Sequence, residues 1–138
     1  MKKLLLLIFL IPNLVMADLK PLSSITEDSE AMMLYKIQRC SAFYYASEWL
    51  FNISNKTEMA KTMGEKAIKL AFVSYKVGEK IGKVTLESNS EGILAIANAY
   101  IDDMESARVS TGNYTDGVVG KDAPYCNSVY EAFDTPSK

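Results

Sequence analysis

The sequence lacks histidine altogether and contains only two cysteines among its 138 residues. Without histidine there is no imidazole general base, no Ser–His–Asp triad and no His-ligated zinc site. Two cysteines are too few for a zinc knuckle or an iron–sulfur cluster. The sequence therefore predicts no catalytic residue, no metal site and no cofactor; the remaining enzymatic alternative is a hydrolase whose carboxylate pair comes from different helices.

The chain also lacks an excess of charge of either sign, since 15 Lys and Arg residues stand against 17 Asp and Glu residues. A nucleic-acid-binding protein normally carries a dense basic face, and a protein that docks on anionic lipid needs a basic cluster. Neither is present, so we expect no nucleic-acid partner. The partner class that remains is another protein or a small molecule.

The N-terminal segment has the three-part pattern of a secretory signal peptide. Two lysines precede an unbroken apolar run, Leu4–Ile11, and Val15 and Ala17 place small side chains before a cleavage site at Asp18. The alternative is an uncleaved membrane anchor, but a spanning helix needs about 20 apolar residues. We expect residues 1–17 to be cleaved and residues 18–138 to form one domain with no stable membrane insertion. The short leader is typical of bacteria and predicts a periplasmic or secreted protein.

The rest of the chain shows helical periodicity, with apolar residues three and four positions apart and no sustained alternation. A Ser24–Glu27 capping box predicts a first helix over 27–51, and the strongest amphipathic pattern predicts a second over 56–81. Ser90 is the expected cap of a third helix, residues 110–121 are expected to form an irregular loop, and Asp122 is the expected cap of a short last helix. The predicted fold is all-α, a single-domain bundle of about four helices.

The two cysteines lie on the apolar faces of the first and last predicted helices. In an oxidising compartment this placement predicts a Cys40–Cys126 disulfide that joins the two ends of the domain. The alternative is two buried free thiols. Neither cysteine has a Cys-x-x-Cys partner, so a redox enzyme is not expected.

Aromatic residues are concentrated on the first helix, at positions 43–51. Consecutive helical residues point about 100° apart, so these side chains cannot all face one core. We expect Tyr45 and Trp49 to contact a partner, together with Tyr114 and Asp116 from the loop. The alternative is that the aromatic side chains fill a wide core.

A group of acidic residues, Asp102, Asp103 and Glu105, is the densest in the chain. Carboxylates can bind a hard cation, but no second acidic cluster accompanies these and the loop that follows lacks the order of an EF-hand. We expect this group to be solvated surface.

These features favour a small exported, non-enzymatic protein that binds another envelope or secreted protein. Inhibitors, immunity proteins, exclusion factors and envelope chaperones share this architecture. The alternative is a carrier of a small molecule or lipid, held between helices by an adaptable pocket of methionines. The methionines considered for such a pocket are Met32, Met33, Met59, Met63 and Met104.

Overall fold

The computed structural model describes residues 19–82 and 84–135, which fold into four helices. They are α1 (Glu30–Ile53), α2 (Thr57–Lys80), α3 (Leu86–Thr111) and α4 (Val118–Asp134), preceded by one turn of 3-10 helix at Leu22–Ser24. The predicted leader, residues 1–17, lies outside the described residues. The predicted all-α bundle is confirmed.

Helix α1 is the centre of the bundle and packs against all three other helices. Its residues 39–44 are all buried, and six consecutive helical residues point in every direction around the axis. Within this run only Arg39 is charged and the other five residues are small or aromatic, which explains why this part of the helix can be enclosed. Helices α2, α3 and α4 surround α1, so the sites open to a partner lie mainly on their outer faces and at the ends of the bundle.

The first helix begins later than the capping box predicted. Ser29 is the N-terminal cap and its hydroxyl accepts a hydrogen bond from the backbone N–H of Met32, whereas Ser24 lies in the 3-10 turn. The reason is that Leu22 is only 1% exposed and its backbone N–H donates to the Asp122 carboxylate, at 2.7 Å. This anchoring holds the segment that precedes α1, residues 19–29 (the lead-in), against the core at Leu22, and α1 does not begin until after Ser29.

The third and fourth helices also begin earlier than predicted. Thr85 and Ser88 form the capping box of α3, so the helix starts four residues before Ser90. Helix α4 starts at Val118, and Asp122 is a buried residue inside it. The expected irregular loop over 110–121 is therefore only the short connection between Thr111 and Val118.

The predicted disulfide is confirmed. Cys40 and Cys126 are bonded, with their Cα atoms 5.1 Å apart, and both are fully buried. The bond joins α1 to α4 across a sequence separation of 86 residues. Asp122 of α4 also accepts the hydrogen bond of Leu22. The segment before α1 is thus attached to α4, and the disulfide attaches α4 to the central helix.

Candidate functional site

Three of the four predicted partner-binding residues lie together at the end of the bundle where α1 ends and α3 connects to α4. The rings of Trp49 and Tyr114 meet edge to face, with centroids 6.2 Å apart. Asp116 lies two residues further along the same connection and is exposed. Both rings are half-buried and pack against the core, so each also supports the fold.

The connection that carries Tyr114 and Asp116 is held in shape by its own side chains. Gly112 ends α3 in the left-handed region, at φ 83°. The side-chain oxygen of Asn113 accepts from the backbone N–H of Thr115, at 3.1 Å, and its side-chain nitrogen donates to Asp116, at 2.9 Å. Such local bonds fix a short turn, and the packing of Tyr114 against the core holds it in place. Asp116 is thus presented at a defined position.

Asp103 caps the helix that follows this connection. For Asp103, the expectation that the acidic group of residues 102–105 is solvated surface is therefore wrong. Gly117 has no side chain with which to cap α4, and the Asp103 carboxylate accepts from the Val118 backbone N–H instead, at 2.7 Å. A carboxylate at this end also stabilises the helix dipole of α4. Asp102 and Glu105 are exposed, as expected. Among the described residues, no group of three acidic or sulfur side chains is arranged to hold a metal ion.

Arg108 completes this end of the molecule and was missed by sequence reasoning. Its guanidinium lies over the Tyr114 ring, 5.6 Å from the centroid, while the residue itself is exposed. We call Trp49, Arg108, Tyr114 and Asp116 the aromatic–arginine cluster. Trp, Tyr and Arg are the side chains most enriched in binding hot spots. No spacing rule connects residues 49, 108 and 114, so only the fold brings them together.

Tyr45 lies apart from this cluster. It lines a shallow cavity of about 140 Å³ between the three long helices, together with Ala71, Ser90, Ile93 and Leu94. Burial and the nearby Glu48 carboxylate raise the pKa of Tyr45. Tyr45 is one helical turn from Trp49 on α1, but the two side chains serve different parts of the surface.

A second group that the sequence did not indicate is a buried polar network between α1, α3 and α4. The Arg39 guanidinium donates to the Asp122 carboxylate, at 2.6 Å, and to the Tyr100 hydroxyl, at 2.9 Å. Tyr100 in turn donates to the same carboxylate. Each of the three side chains is 0–1% exposed. We call these three residues the buried network.

The electrostatics of the buried network keep its arginine charged and its tyrosine neutral. Burial alone would lower the pKa of Arg39, but its contacts with Tyr100 and Asp122 outweigh this and raise the pKa. Burial raises the pKa of Tyr100 far above its ordinary value, against the opposing effect of Arg39. The buried network is closed to solvent, and its hydrogen bonds hold α4 and, through Leu22, the segment before α1 against the central helix. Its role is therefore structural.

No helix in the described part of the chain combines the length and apolarity that a membrane crossing requires. Comparison of the chain with protein-family models, with curated proteins and with solved structures finds no match.

Proposed function

We propose that this protein is a small exported, non-enzymatic factor that binds another protein of the bacterial envelope or its surroundings. The observation that carries the proposal is the aromatic–arginine cluster. It combines the Trp49 ring of α1 and the exposed Arg108 guanidinium of α3 with the Tyr114 ring and the exposed Asp116 carboxylate of the connection between α3 and α4. Hydrogen bonds within that connection fix its shape. Aromatic and arginine side chains contribute a large share of the binding free energy in interfaces between proteins, and holding them in place before binding lowers the entropy cost.

Export is supported by two independent features. The first is the leader pattern of residues 1–17, and the second is the buried disulfide between α1 and α4. Disulfides of this structural kind persist in oxidising compartments such as the bacterial periplasm and the cell exterior. Fractionation of the native host, with N-terminal sequencing of the purified protein, tests this part. We expect the protein outside the cytoplasm, with Asp18 as its first residue.

The carrier alternative has less support. The cavity beside Tyr45 measures about 140 Å³ and a second one beside Phe72 about 170 Å³, below the roughly 300 Å³ of a typical ligand site. No methionine lines either cavity. Met104 is fully buried in the core, whereas Met33 and Met59 are nearly half exposed, so the candidate methionines do not share one pocket.

The partner-binding proposal is tested by site-specific photo-crosslinking in the native host. A photoreactive phenylalanine analogue replaces Tyr114, and the same analogue at the exposed Ala95 of α3 is the control. We expect one discrete protein adduct from position 114 and none at matching yield from position 95. The cross-linked protein is then identified by mass spectrometry.

A charge substitution separates recognition from folding. Asp116→Lys reverses the charge of an exposed residue of the aromatic–arginine cluster and also removes the acceptor of the Asn113 side-chain bond. Asp116→Asn, which keeps an oxygen acceptor while losing the charge, is therefore measured beside it and is expected to weaken the adduct. Glu91→Lys makes the same charge change on the exposed face near the start of α3. We expect Asp116→Lys to abolish the adduct at position 114 and Glu91→Lys to leave it intact, with both variants melting within a few degrees of the parent. An absent adduct, or an adduct unaffected by Asp116→Lys, would overturn the proposal.

A further inference from the structure

Helix α2 carries an exposed stripe that is independent of the aromatic–arginine cluster. Its members follow one another three or four positions apart, except for the last two, and all are exposed. They are Glu58, Lys61, Glu65, Ile68, Phe72, Lys76, Glu79 and Lys80. We call them the α2 stripe. At 1.5 Å per residue the stripe is about 33 Å long, and its spacing is that of helices which pack lengthwise against each other.

The centre of the α2 stripe is apolar and uncovered. Ile68 is 62% exposed and Phe72 is 61% exposed, so two large apolar side chains sit side by side in solvent. A shallow cavity of about 170 Å³ lies against Phe72, with Val73 and Val77 in its wall. An exposed apolar patch framed by charges is typical of an interaction surface.

The charges along the α2 stripe are arranged so that the stripe complements a second copy of itself running in the opposite direction. When two copies of α2 are placed antiparallel about a two-fold axis near residue 70, Ile68 of each copy faces Phe72 of the other. Moving outward, Glu65 faces Lys76, then Lys61 faces Glu79, and finally Glu58 faces Lys80. Every charged residue of the stripe therefore faces an opposite charge on the second copy, and Ile68 and Phe72 face the same two residues of the second copy.

We propose that the α2 stripe is the interface of a symmetric homodimer, in which two copies of this chain pack through antiparallel α2 helices. A two-fold interface must be self-complementary, because the same patch serves both copies. The α2 stripe meets that condition in its apolar centre and in both charged ends. A partner of different sequence would need no such symmetry in the pattern.

An existing contact within the chain fits the dimer. Lys76 lies 3.1 Å from Glu79 in the same helix. In the dimer Lys76 also faces Glu65 and Glu79 also faces Lys61, so this pair links the two cross-dimer pairs into one network on each side of the axis. Isolated exposed ion pairs contribute little, whereas networks of several charges contribute more. A single helix pair is a small interface, so we expect a dimer that dissociates in the micromolar range.

The test is sedimentation of the oxidised mature protein over micromolar to submillimolar concentrations, with three interface variants and one control variant. Lys61→Glu places two like-charged pairs in the dimer and is expected to weaken association about tenfold. Glu79→Lys does the same with the opposite sign. An equimolar mixture of these two variants restores both pairs in a heterodimer, so we expect the mixture to associate about as strongly as the parent protein.

Ile68→Glu is expected to abolish dimerisation, while Val109→Glu, at a more exposed apolar residue of α3, leaves it unchanged. A change in folding cannot produce the rescue by mixing, because each variant chain keeps its own substitution. A protein that stays monomeric throughout the concentration range overturns the inference. A dimer that resists Ile68→Glu, or a mixture that associates no better than its components, also overturns it.

Discussion

Replacing Asp122 with asparagine removes the charge that three buried donors share. The Arg39 guanidinium, the Tyr100 hydroxyl and the Leu22 backbone N–H all donate to this carboxylate. The substituted amide keeps one oxygen acceptor, so the Leu22 bond can survive. Arg39, however, is 1% exposed and is left without a counter-charge.

The expected loss is large relative to the stability of a small domain. Removing one partner of a buried ion pair typically destabilises a protein by about 3–5 kcal/mol. The whole free energy of unfolding of such a domain is about 5–15 kcal/mol. We therefore expect Asp122→Asn to lower the free energy of unfolding by about 3–5 kcal/mol, as measured by urea unfolding of the oxidised protein followed by far-UV circular dichroism.

The control is Asp116→Asn, the same chemical change at an exposed carboxylate, which we expect to alter stability by less than about 0.5 kcal/mol. The double variant Arg39→Met with Asp122→Asn removes both charges. Because it leaves no charge buried, it should lose less than the sum of the two single losses, by about 1–3 kcal/mol. If Asp122→Asn matches the control, or if the two single losses are additive, the buried network does not stabilise the fold as an ion pair.

Three further predictions concern the packing around two glycines, the ionisation of Tyr44 and the contribution of the disulfide to stability. A Cβ at Gly78 would overlap the Val84 side chain, so Gly78→Ala should lower the free energy of unfolding by about 1–3 kcal/mol. Gly92 has open space around it, so Gly92→Ala should raise the free energy of unfolding by about 0.5–1 kcal/mol. Urea unfolding measures both. Burial, with Tyr130 and Glu131 nearby, raises the pKa of Tyr44 to about 12. Because the folded-state pKa is the higher one, the contribution of Tyr44 to the free energy of unfolding is complete below about pH 10 and is lost as the pH rises towards 12. The pKa of Tyr100 is raised in the same direction, so unfolding across that pH range is compared between the parent protein and Tyr44→Phe, which isolates the part due to Tyr44. Reducing the disulfide should lower the free energy of unfolding by about 4–5 kcal/mol, measured with and without reductant, given the 86-residue separation.

Each of these three expectations has an outcome that contradicts it. Equal effects of the two glycine substitutions would mean that Val84 moves aside without penalty. A stability that stays flat above pH 10 would show that Tyr44 ionises in the folded protein as it does in the unfolded chain. Equal unfolding free energies for oxidised and reduced protein would remove the disulfide from the account of stability.

The helices differ in how well their sequence predicts them, and the reason is what surrounds each one. Helix α2 has one face in the core and one in solvent, so its periodicity predicted Lys56–Ile81 against an observed Thr57–Lys80. Helix α1 is enclosed on every side over residues 39–44, and an enclosed stretch of helix has no polar face that marks its core side. The burial of Arg39 in that helix was not predicted, because its partner Asp122 is 83 residues away.

The start of α4 illustrates a limit of local sequence signals. Asp122 followed two residues later by Pro124 is a good helix start on local grounds, yet α4 begins at Val118. Its cap comes from Asp103 on another helix, and a cap supplied from another helix leaves no pattern next to Val118 in the sequence. The same holds for the aromatic–arginine cluster, where Trp49 and Tyr114 could be proposed from their residue types but Arg108 could not.

The hydrogen bond from Leu22 to Asp122 spans 100 residues, and this has a consequence for the order in which the chain becomes structured. A ribosome releases the N-terminal part first, so Leu22 emerges long before its acceptor exists. At about 5–20 residues per second the delay is on the order of 5–20 s. Throughout that interval the lead-in has no place to dock, and the segment just before α1 stays accessible to any enzyme that acts on the nascent chain.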